Sequence, residues 1–484
     1  MNSLTVSFLS RRNPKKLKIT MQTCLDRELY RKFEEIVGEK YVSDADLDRV
    51  CHSYDATKQA VLPDVVIRPG SAQEVSGIFR IANEKLIPVY PRGAASGLTG
   101  GAVPVHGGIA LDMTRMNRII EIDEANLIAT VEPGVVVADF QKEVEKLGLL
   151  YPPDPASNSF ATMGGSVAEC AGGLRGMKYG VTKDYVLGLE VVLPTGEIIH
   201  TGSKTLKSVT GYNLTSLFVG SEGTLGVFTK IVVKLMPPPE KIETIIALYG
   251  SIKDAADTVS SIVAAKIVPR AMEFVDEECI RAVGLHTGFS VAEGTRALLI
   301  MEVDGSEETA RRDAMRVMDI CKERGASEVK RAETAKEVDD LWTVRRLISS
   351  ALYAVSKGKV NEDICVPRSN LTRMLERITE IGEKHGVRTA NFGHAGDGNI
   401  HMNVLIDPSV PGELERAEAA VGEILEEVIN LDGTLSGEHG IGNTKSKYLG
   451  MEVGPTELQL MRNIKALLDP NGILNPGKIF YDAD

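Results

Sequence analysis

A dense set of glycine-rich loops between residues 91 and 226 constrains this chain more than any other feature of its sequence. The first loop, PRGAASGLTGGAVP, directly follows the strand-like segment IPVY. Its glycines permit positive φ angles and close backbone approach, through which successive N–H groups can converge on an anion. Arg92 adds a positive charge to the same loop. A lone loop of this kind is usually a structural turn, so its meaning depends on the loops that follow it.

Further loops of small residues follow at YPPDPAS, at the two Gly-Gly pairs of MGGSVAECAGG, at KYG and at GSEGTLG. Together they suit a long ligand that lies on backbone. The strand-linked G-x-G-x-x-G pattern does not occur, so a nicotinamide dinucleotide in a standard Rossmann fold is not expected. The stretch GILNPGK resembles a P-loop, but Ile479 replaces the hydroxyl residue that holds magnesium and Pro476 lacks an N–H. We therefore reject this match.

The length of 484 residues exceeds what one hydrophobic core usually holds, so at least two domains are expected. Residues 1–25 are basic and contain no acid, which indicates a tail, and their apolar part is too short and wrongly placed for a secretory signal. Residues 26–238 alternate β-rich runs with glycine turns and predict an α/β domain. A stiff Pro-Pro-Pro run ends it. Residues 239–430 predict an α+β domain with an antiparallel sheet, and residues 431–484 are expected to return to the first domain.

Charge and cysteine spacing exclude several classes of function. Lys and Arg number 55 against 67 Asp and Glu, a net charge of −12, so no basic surface for nucleic acid is expected. No run of about 18 apolar residues occurs, so a membrane-spanning helix is excluded, although peripheral association through a partner is not. The six cysteines show no C-x-x-C spacing, so neither an iron–sulfur cluster nor a disulfide scaffold is expected, and reduced thiols favour the cytoplasm.

Three of the eight histidines fall in two glycine-rich motifs, FGHAGDGNIH and SGEHGIG. If residues 395–398 form a turn, His394 pairs with Asn399, and His401 shares a face with both because side chains alternate along a strand. Two imidazoles so placed can converge on one metal ion, and Glu438 would complete a two-His, one-carboxylate site with open positions for substrate. The alternative is that these histidines make core or cofactor hydrogen bonds without a metal.

Four motifs together carry a resemblance to a known family: PRGAASGLTGGAVP, YPPDPAS, GGSVAECAGGLRGMKYGVTKDYVLGLEVVLPTGE and GSEGTLGV. They closely resemble the FAD-linked oxidases of the vanillyl-alcohol-oxidase and p-cresol-methylhydroxylase type. Within that type, residues 40–480 are similar to the D-lactate dehydrogenase, glycolate oxidase flavin subunit and D-2-hydroxyacid dehydrogenase group. The resemblance implies a two-domain α+β flavoprotein, in which an FAD-binding α/β domain is joined to an α+β cap domain with an antiparallel sheet.

The resemblance implies an FAD whose pyrophosphate lies on the first loop. The implied contacts are Arg92, Gly93, Ala94, Ala95, Ser96, Gly97, Leu98, Thr99, Gly100, Gly101, Pro153, Asp154, Ser157, Gly164, Gly165, Gly173, Gly220, Glu222, Gly223, Gly226, Asn399 and Asn475. Some relatives attach the flavin to a His in the first loop, and Ser96 stands at that position here. Noncovalent FAD is therefore expected.

The resemblance also implies roles in the chemistry. Several members of the group hold a divalent metal (Zn, Fe or Mn) on the residues that match His394, His401 and Glu438, and the His after this Glu, here His439, acts as the base. A neutral imidazole near its usual pKa of about 6.5 can accept a hydroxyl proton. In the LWTVRR segment the first arginine after the tryptophan, Arg345, binds the substrate carboxylate.

A difference from the 2-hydroxyglutarate enzymes limits the range of expected substrates. Those enzymes place a Lys near the position of Asn361, so a second substrate carboxylate would lack its cation here. The expected function is oxidation of a small D-2-hydroxyacid, D-lactate or glycolate, by hydride transfer to FAD. Electrons would pass to an iron–sulfur subunit, an electron-transferring flavoprotein or another carrier. A cytoplasmic oligomer is expected, which a partner could attach to the inner face of the membrane.

Three alternatives remain open from the sequence. A noncatalytic FAD subunit that only transfers electrons would keep the glycine loops but would not need Arg345 or the histidine motifs. An FAD-dependent alcohol or sugar-lactone oxidase would not need a cation for a substrate carboxylate. In a metal hydrolase built on the His and Glu residues, the glycine loops would be mere turns, and purified protein would contain no flavin.

Overall fold

The computed structural model describes residues 26–57 and 59–481, and these residues divide into two compact units. Residues 26–239 and 436–481 form the first, here called the loop unit because it contains the glycine loops. Residues 240–435 form the second, here called the sheet unit. The tail predicted for residues 1–25 lies outside the described residues. No helix of the described part is long and apolar enough to span a membrane.

The first segment of the loop unit alternates short helices and strands. Its elements are α1 (Arg27–Val37), β1 (Val42–Ser43), α2 (Asp46–Cys51), β2 (Val65–Ile67), α3 (Ala72–Lys85), β3 (Val89–Arg92), β4 (Ile109–Asp112), β5 (Ile119–Asp123), β6 (Ile128–Val131), α4 (Val137–Glu145), α5 (Met163–Glu169), α6 (Gly176–Tyr179), β7 (Val186–Val192), β8 (Ile198–Gly202), α7 (Leu214–Phe218) and β9 (Val227–Lys234). The strands that the sequence predicts are present. It does not predict β1, which has two residues, or β8, of which only Thr201 is buried.

Two sheets organise the loop unit. In the four-stranded sheet the order is β1-β2-β4-β3, and β4 is parallel to both β2 and β3. The parallel arrangement follows from α3, which connects β2 to β3 and begins where the Ser71 side chain accepts a hydrogen bond from the N–H of Glu74. The five-stranded sheet is antiparallel in the order β5-β6-β9-β7-β8. The first glycine loop thus begins at the end of β3, a buried parallel strand.

The second segment of the loop unit packs beside the first. Its helices are α14 (Leu449–Glu452) and α15 (Pro455–Leu468). Beyond α15 the chain runs next to β3, where Leu474 forms a parallel bridge with Val89 and the N–H of Asn475 donates to the Val89 carbonyl over 2.8 Å. Leu474 is fully buried in the core around the four-stranded sheet. The end of β3 is therefore supported by residues almost 400 positions later in the sequence.

The sheet unit is an antiparallel sheet with helices, as the sequence predicts. Its elements are β10 (Lys241–Tyr249), α8 (Ile252–Ala264), β11 (Ala271–Asp276), α9 (Glu277–Thr287), β12 (Ala297–Gly305), α10 (Glu307–Glu323), β13 (Ala326–Arg331), α11 (Ala335–Ala351), β14 (Gly358–Cys365), α12 (Leu371–His385), β15 (Arg388–His394), β16 (Asn399–Ile406) and α13 (Glu413–Asn430). The strand order is β13-β10-β12-β11-β15-β16-β14. Each neighbouring pair is antiparallel.

The two faces of this sheet differ in chemistry because side chains alternate along each strand. One face is apolar and includes Met272, Phe274, Leu299 and Met301, all buried. On the other face, five adjacent strands each contribute a buried polar side chain. In strand order from β12 to β14 these are Glu302, Glu273, His394, His401 and Asp363. Buried polar side chains are normally hydrogen-bonded, so this row of five indicates a candidate functional site on the polar face of the sheet.

Candidate functional site

A cavity of about 240 Å³ lies within the loop unit. Of the predicted cofactor contacts, its wall contains Arg92, Gly93, Ala94, Ala95, Ser96, Gly97, Leu98, Gly101, Ser157, Gly164, Gly165, Glu222, Gly223 and Gly226. The wall also contains Glu438 and His439, the predicted ligand and base. Residues that the sequence reasoning did not include are Pro91, Ala102, Met113, Pro133, Pro155, Ala156, Ala161, Thr162, Ser166, Ala168, Glu169, Ala171, Gly172, Val227 and Phe228.

Other predicted cofactor contacts lie outside this wall within the described residues: Thr99, Gly100, Pro153, Asp154, Gly173, Gly220 and Asn475. Some of these residues stabilise the wall through contacts behind it. The side-chain amide of Asn475 donates to the carbonyls of Gly101 and Glu222, and Asp154 forms an ion pair with Arg175 at 3.3 Å. Asn399 belongs to the sheet unit, where its amide donates to Asp363 over 2.6 Å.

Glycine is required at specific points of the wall. A Cβ on Gly93 would lie 2.1 Å from Oγ1 of Thr162, and a Cβ on Gly164 would lie 2.6 Å from Cβ of Pro133. Gly97 differs, because a Cβ there would meet no atom within 4 Å. The first loop is therefore packed against the wall at Gly93 and open to the cavity at Gly97. Exposed backbone of this kind suits an extended ligand such as FAD.

These two glycines give a matched pair of predictions. Gly93→Ala is expected to destabilise the flavin-free protein by about 1 to 3 kcal/mol through overpacking, as measured by urea unfolding. Gly97→Ala is expected to leave that stability nearly unchanged and to weaken FAD binding in a fluorescence titration, since the new methyl group enters the cavity. Equal FAD affinity for Gly97→Ala and the wild type would contradict the assignment of this loop as a cofactor cradle.

The loop that carries Glu438 and His439 is fixed by a buried carboxylate. Glu222 accepts hydrogen bonds from the N–H groups of Ile441 at 2.8 Å and Gly442 at 2.6 Å. The hydroxyl of Thr99 donates to the His439 carbonyl over 3.2 Å. The two motifs GSEGTLG and SGEHGIG are therefore joined through side-chain and backbone contacts, and His439 is held at the cavity with its side chain 17% exposed.

A second acid, Glu169, lies beside Glu222 and lines the cavity. A Cβ on Gly440 would lie 2.7 Å from a Glu169 oxygen and 3.0 Å from a Glu222 oxygen, so the two carboxyl groups share one small space. Burial raises the pKa of Glu169 well above its ordinary value, and the charges of Glu222 and Asp55 raise it further. Burial also raises the pKa of Glu222, but its two N–H donors favour the charged form and oppose that rise, so Glu169 is the member whose pKa is raised further.

The raised pKa of Glu169 predicts a pH-dependent stability. A carboxyl whose pKa is higher in the folded state stabilises the fold below the unfolded pKa, and this contribution is lost as the pH rises through the folded pKa. Glu169→Gln mimics the protonated form at every pH. We expect its melting temperature to rise relative to the wild type as the pH increases above about 4.3, the unfolded value. A difference that is constant from pH 5 to pH 9 would contradict this assignment.

In the sheet unit, the predicted hairpin is formed. Strands β15 and β16 flank a four-residue turn at residues 395–398, and His401 pairs with Phe392. His394 and His401 therefore lie on one face, as the sequence reasoning expects, with their Nε2 atoms 3.4 Å apart and their rings nearly perpendicular at 88°. Both histidines are buried.

Buried carboxylates face the opposite nitrogen of each ring. His394 Nδ1 lies 2.6 Å from Glu273 Oε1, and His401 Nδ1 lies 3.6 Å from Asp363 Oδ1. Both acids are 0% exposed. The Glu273 carboxylate is within hydrogen-bond distance of His394 Nδ1 and leaves the Nε2 lone pair of that ring directed away from it, which is the usual arrangement behind a metal-bound histidine. The 3.6 Å between His401 and Asp363 is an ion-pair distance and not a hydrogen bond.

The spacing of the two Nε2 atoms provides a test of metal fit. Two nitrogen ligands at about 2.0–2.1 Å from a tetrahedral ion stand about 3.4 Å apart. The observed 3.4 Å matches that value and exceeds the distance of about 2.7–3.2 Å that is usual for a protein hydrogen bond from N–H. The histidine pair of the sheet unit therefore fits two ligands of one divalent ion.

Arg345 lies on α11, which packs on the same polar face. Its Nε donates to Glu273 Oε2 over 2.6 Å, and its guanidinium carbon lies 4.6 Å from the centroid of the Phe392 ring. Arg346, the next residue, is exposed and pairs with Asp339 at 2.8 Å. Of these two neighbouring arginines, Arg345 is therefore buried at the polar face and Arg346 is exposed.

Glu273 and Asp363 are site residues that the sequence analysis missed. Each is an acid within a short β-strand, and neither belongs to a recognisable motif. The feature of the sequence that could have identified them is an ionisable residue at a buried position of a strand. The strand sequences are AMEFVD for β11 and GKVNEDIC for β14. Glu169 was missed for a different reason. It lies in the motif MGGSVAECAGG, in which only the glycines were interpreted as functional.

Comparisons with known proteins agree with this organisation. Residues 238–479 match the family model described as FAD linked oxidases, C-terminal domain, and residues 63–202 match the FAD binding domain model. The chain is 45% identical to glycolate oxidase subunit GlcD of Bacillus subtilis, over 92% of this chain and 95% of that protein. It is 36% identical to D-lactate dehydrogenase of Anaerostipes hadrus, over 94% and 97%.

Among solved structures, the chain is similar to p-cresol methylhydroxylase with substrate bound. The TM-score is 0.78 at 20% identity, and the match covers 94% of this chain and 96% of the other. At this level of identity the likeness establishes the fold alone. The two-domain FAD-binding fold that the sequence motifs imply is confirmed.

Proposed function

Because this chain belongs to the family of FAD linked oxidases, we propose that it is an FAD-dependent enzyme that oxidises a small D-2-hydroxyacid to its 2-oxoacid. D-lactate and glycolate are the proposed substrates. The names of its relatives, a glycolate oxidase subunit and a D-lactate dehydrogenase, support this class of substrate. The chemistry that bound FAD supplies is uptake of two electrons together with the Cα hydrogen of the substrate.

One observation carries the proposal: a buried arginine and a pair of convergent imidazoles share the polar face of the sheet unit. Arginine presents a planar fork that matches a carboxylate, so Arg345 is proposed to anchor the acid group of the substrate. His394 and His401 would hold a divalent ion, and a lone FAD-transfer subunit has no use for such a set. The uncharged Asn361, at the position where the 2-hydroxyglutarate enzymes carry a Lys, favours a monocarboxylate over a dicarboxylate.

The proposed metal site has Glu438 as its third ligand, on the strength of the two-His, one-carboxylate pattern of the sequence. A divalent ion there would polarise the substrate hydroxyl group. His439 is proposed as the base that accepts the hydroxyl proton, which its position in the cavity wall of the loop unit supports. The first glycine loop would hold FAD through contacts from its backbone.

Electrons are proposed to leave through another protein or carrier. Among the described residues no disulfide joins the cysteines, which are Cys51, Cys170, Cys279, Cys321 and Cys365, and no C-x-x-C spacing exists in the sequence. The chain therefore has no iron–sulfur ligands in the usual spacing. An iron–sulfur subunit or an electron-transferring flavoprotein is the proposed acceptor.

An oxygen-free visible spectrum tests the function. The flavin band of the purified protein is expected to bleach on addition of D-lactate or glycolate, and to persist with L-lactate and D-2-hydroxyglutarate. A band that persists with every D-acid would refute the proposal in favour of an electron-transfer subunit or an alcohol oxidase. A protein that takes up no flavin after reconstitution would favour the hydrolase alternative.

The flavin is expected to be released by acid precipitation, since Ser96 offers no imidazole for a covalent bond. The measurement is flavin absorbance in the supernatant and in the redissolved pellet. Yellow colour that stays with the pellet would contradict noncovalent binding.

A further inference from the structure

We propose that Glu273 is a positioning residue that serves two partners at once, holding His394 for the metal ion and Arg345 for the substrate carboxylate. The inference rests on the proposed function and adds to it a residue that makes metal binding and substrate anchoring depend on each other.

The contacts of Glu273 are short and separate. Its Oε1 faces His394 Nδ1 at 2.6 Å and its Oε2 accepts from Arg345 Nε at 2.6 Å. The Glu273 side chain is 0% exposed, while those of His394 and Arg345 are 7% and 10% exposed. Each oxygen thus has its own partner, and water has no access to replace either contact. Charge-assisted hydrogen bonds in such an environment fix orientation strongly.

The position of Glu273 in the sheet explains how one acid reaches both partners. β11 lies next to β15, and Glu273 pairs directly with His394 in the antiparallel register. Arg345 approaches from α11, which packs on the polar face of the sheet. The strand therefore sets one contact and the helix sets the other.

The consequence for His394 concerns which nitrogen carries the hydrogen. A carboxylate at Nδ1 selects the form with N–H at that atom and leaves the Nε2 lone pair for the metal ion. Without the carboxylate, the ring could rotate or carry its hydrogen on Nε2, and both changes remove the ligand. For Arg345 the acid holds Nε, so the terminal nitrogens of the guanidinium keep a defined direction.

A neighbouring acid supplies a matched control. Glu302 lies on the same face of the adjacent strand β12, is also buried, and accepts a hydrogen bond from Nε1 of Trp342 on α11 over 2.7 Å. It shares the burial, the sheet face and the helix partner of Glu273. Glu302 contacts Trp342, Thr244 and Arg270, none of which is a proposed ligand or anchor. Glu302→Gln therefore measures how far zinc affinity and KM change when any buried acid of this face is neutralised.

The experiment measures zinc affinity of the full-length FAD-loaded protein by competition with a chromophoric chelator, together with kcat and KM for D-lactate. Glu273→Gln is expected to weaken zinc binding about 10- to 100-fold, the range found when outer carboxylates of metal sites are removed. It is also expected to raise KM, while Glu302→Gln leaves the zinc affinity and KM close to the wild-type values. Glu273→Asp keeps the charge but shortens the reach, and is expected to show a smaller loss of zinc affinity.

Wild-type zinc affinity and KM in Glu273→Gln, or equal losses in Glu273→Gln and Glu302→Gln, would overturn the inference. If Glu273→Gln does not fold, undiminished zinc affinity in Glu273→Asp would overturn it in the same way. His401→Ala separates this result from a failure of the proposed metal site. If His401→Ala loses zinc and the Glu273 variants do not, only the role of Glu273 is wrong. If the wild type binds no zinc, the metal site and the inference fail together, while bleaching by D-lactate still reports the enzyme activity.

Discussion

His439→Ala is expected to lower the rate of flavin reduction by D-lactate about 10²- to 10⁴-fold, the usual contribution of a general base. The reason is that the other ionisable side chain of the SGEHGIG loop, Glu438, is proposed to bind the metal ion, so that loop has no second base to accept the hydroxyl proton once the imidazole is gone. FAD should remain bound, because the glycine loops and Glu222 are unchanged. Stopped-flow absorbance without oxygen measures the rate, and the ratio of flavin to protein absorbance measures the cofactor content.

His200→Ala is the control for this variant. His200 lies in the same unit, has a 72% exposed side chain and pairs with Glu190 on the neighbouring strand. Its removal should leave the reduction rate unchanged. An unimpaired rate in His439→Ala would refute the base assignment, and a loss of FAD in that variant would show that the imidazole acts on cofactor binding instead.

Arg345→Met is expected to reduce kcat/KM for D-lactate about 30- to 4,000-fold, mainly through KM. Removing one partner of a buried charged hydrogen bond costs about 2–5 kcal/mol, and each 1.4 kcal/mol is a factor of ten. The neighbouring residue offers a control, because Arg346 is exposed and Arg346→Met removes the same charge from the same helix. Steady-state kinetics with an artificial electron acceptor give both constants.

Equal effects of Arg345→Met and Arg346→Met would contradict the role of Arg345 as the carboxylate anchor. Since Arg345 also pairs with Glu273, the melting temperature of both variants should be recorded. A loss of stability without any change in KM would assign Arg345 to the fold rather than to the substrate.

The local parts of the candidate site could be predicted from sequence because short-range rules determine them. The hairpin at residues 395–398 follows from two strand-like segments around a glycine-containing turn, and alternation then places His394 and His401 on one face.

The partners of these residues could not be predicted because they depend on tertiary packing. Glu273 is 121 positions from His394 in the sequence, and the register of β11 against β15 alone makes them neighbours. Asp363 reaches His401 through the pairing of β14 with β16. No local rule separates these two acids from the 65 other acidic residues of the chain. The proton on Glu169 likewise depends on Glu222 and Asp55, which are distant in sequence.

The loop unit is made of two stretches of chain, and this division determines the order in which its contacts can form during synthesis. The sheet unit, residues 240–435, is one continuous stretch and is complete before the ribosome reaches the SGEHGIG motif. The N–H groups that Glu222 binds, at Ile441 and Gly442, and the support of β3 by Leu474 do not yet exist at that stage. Domains generally fold as units during translation. The segment of the loop unit that is made first therefore gains these contacts only after the sheet unit has been synthesised.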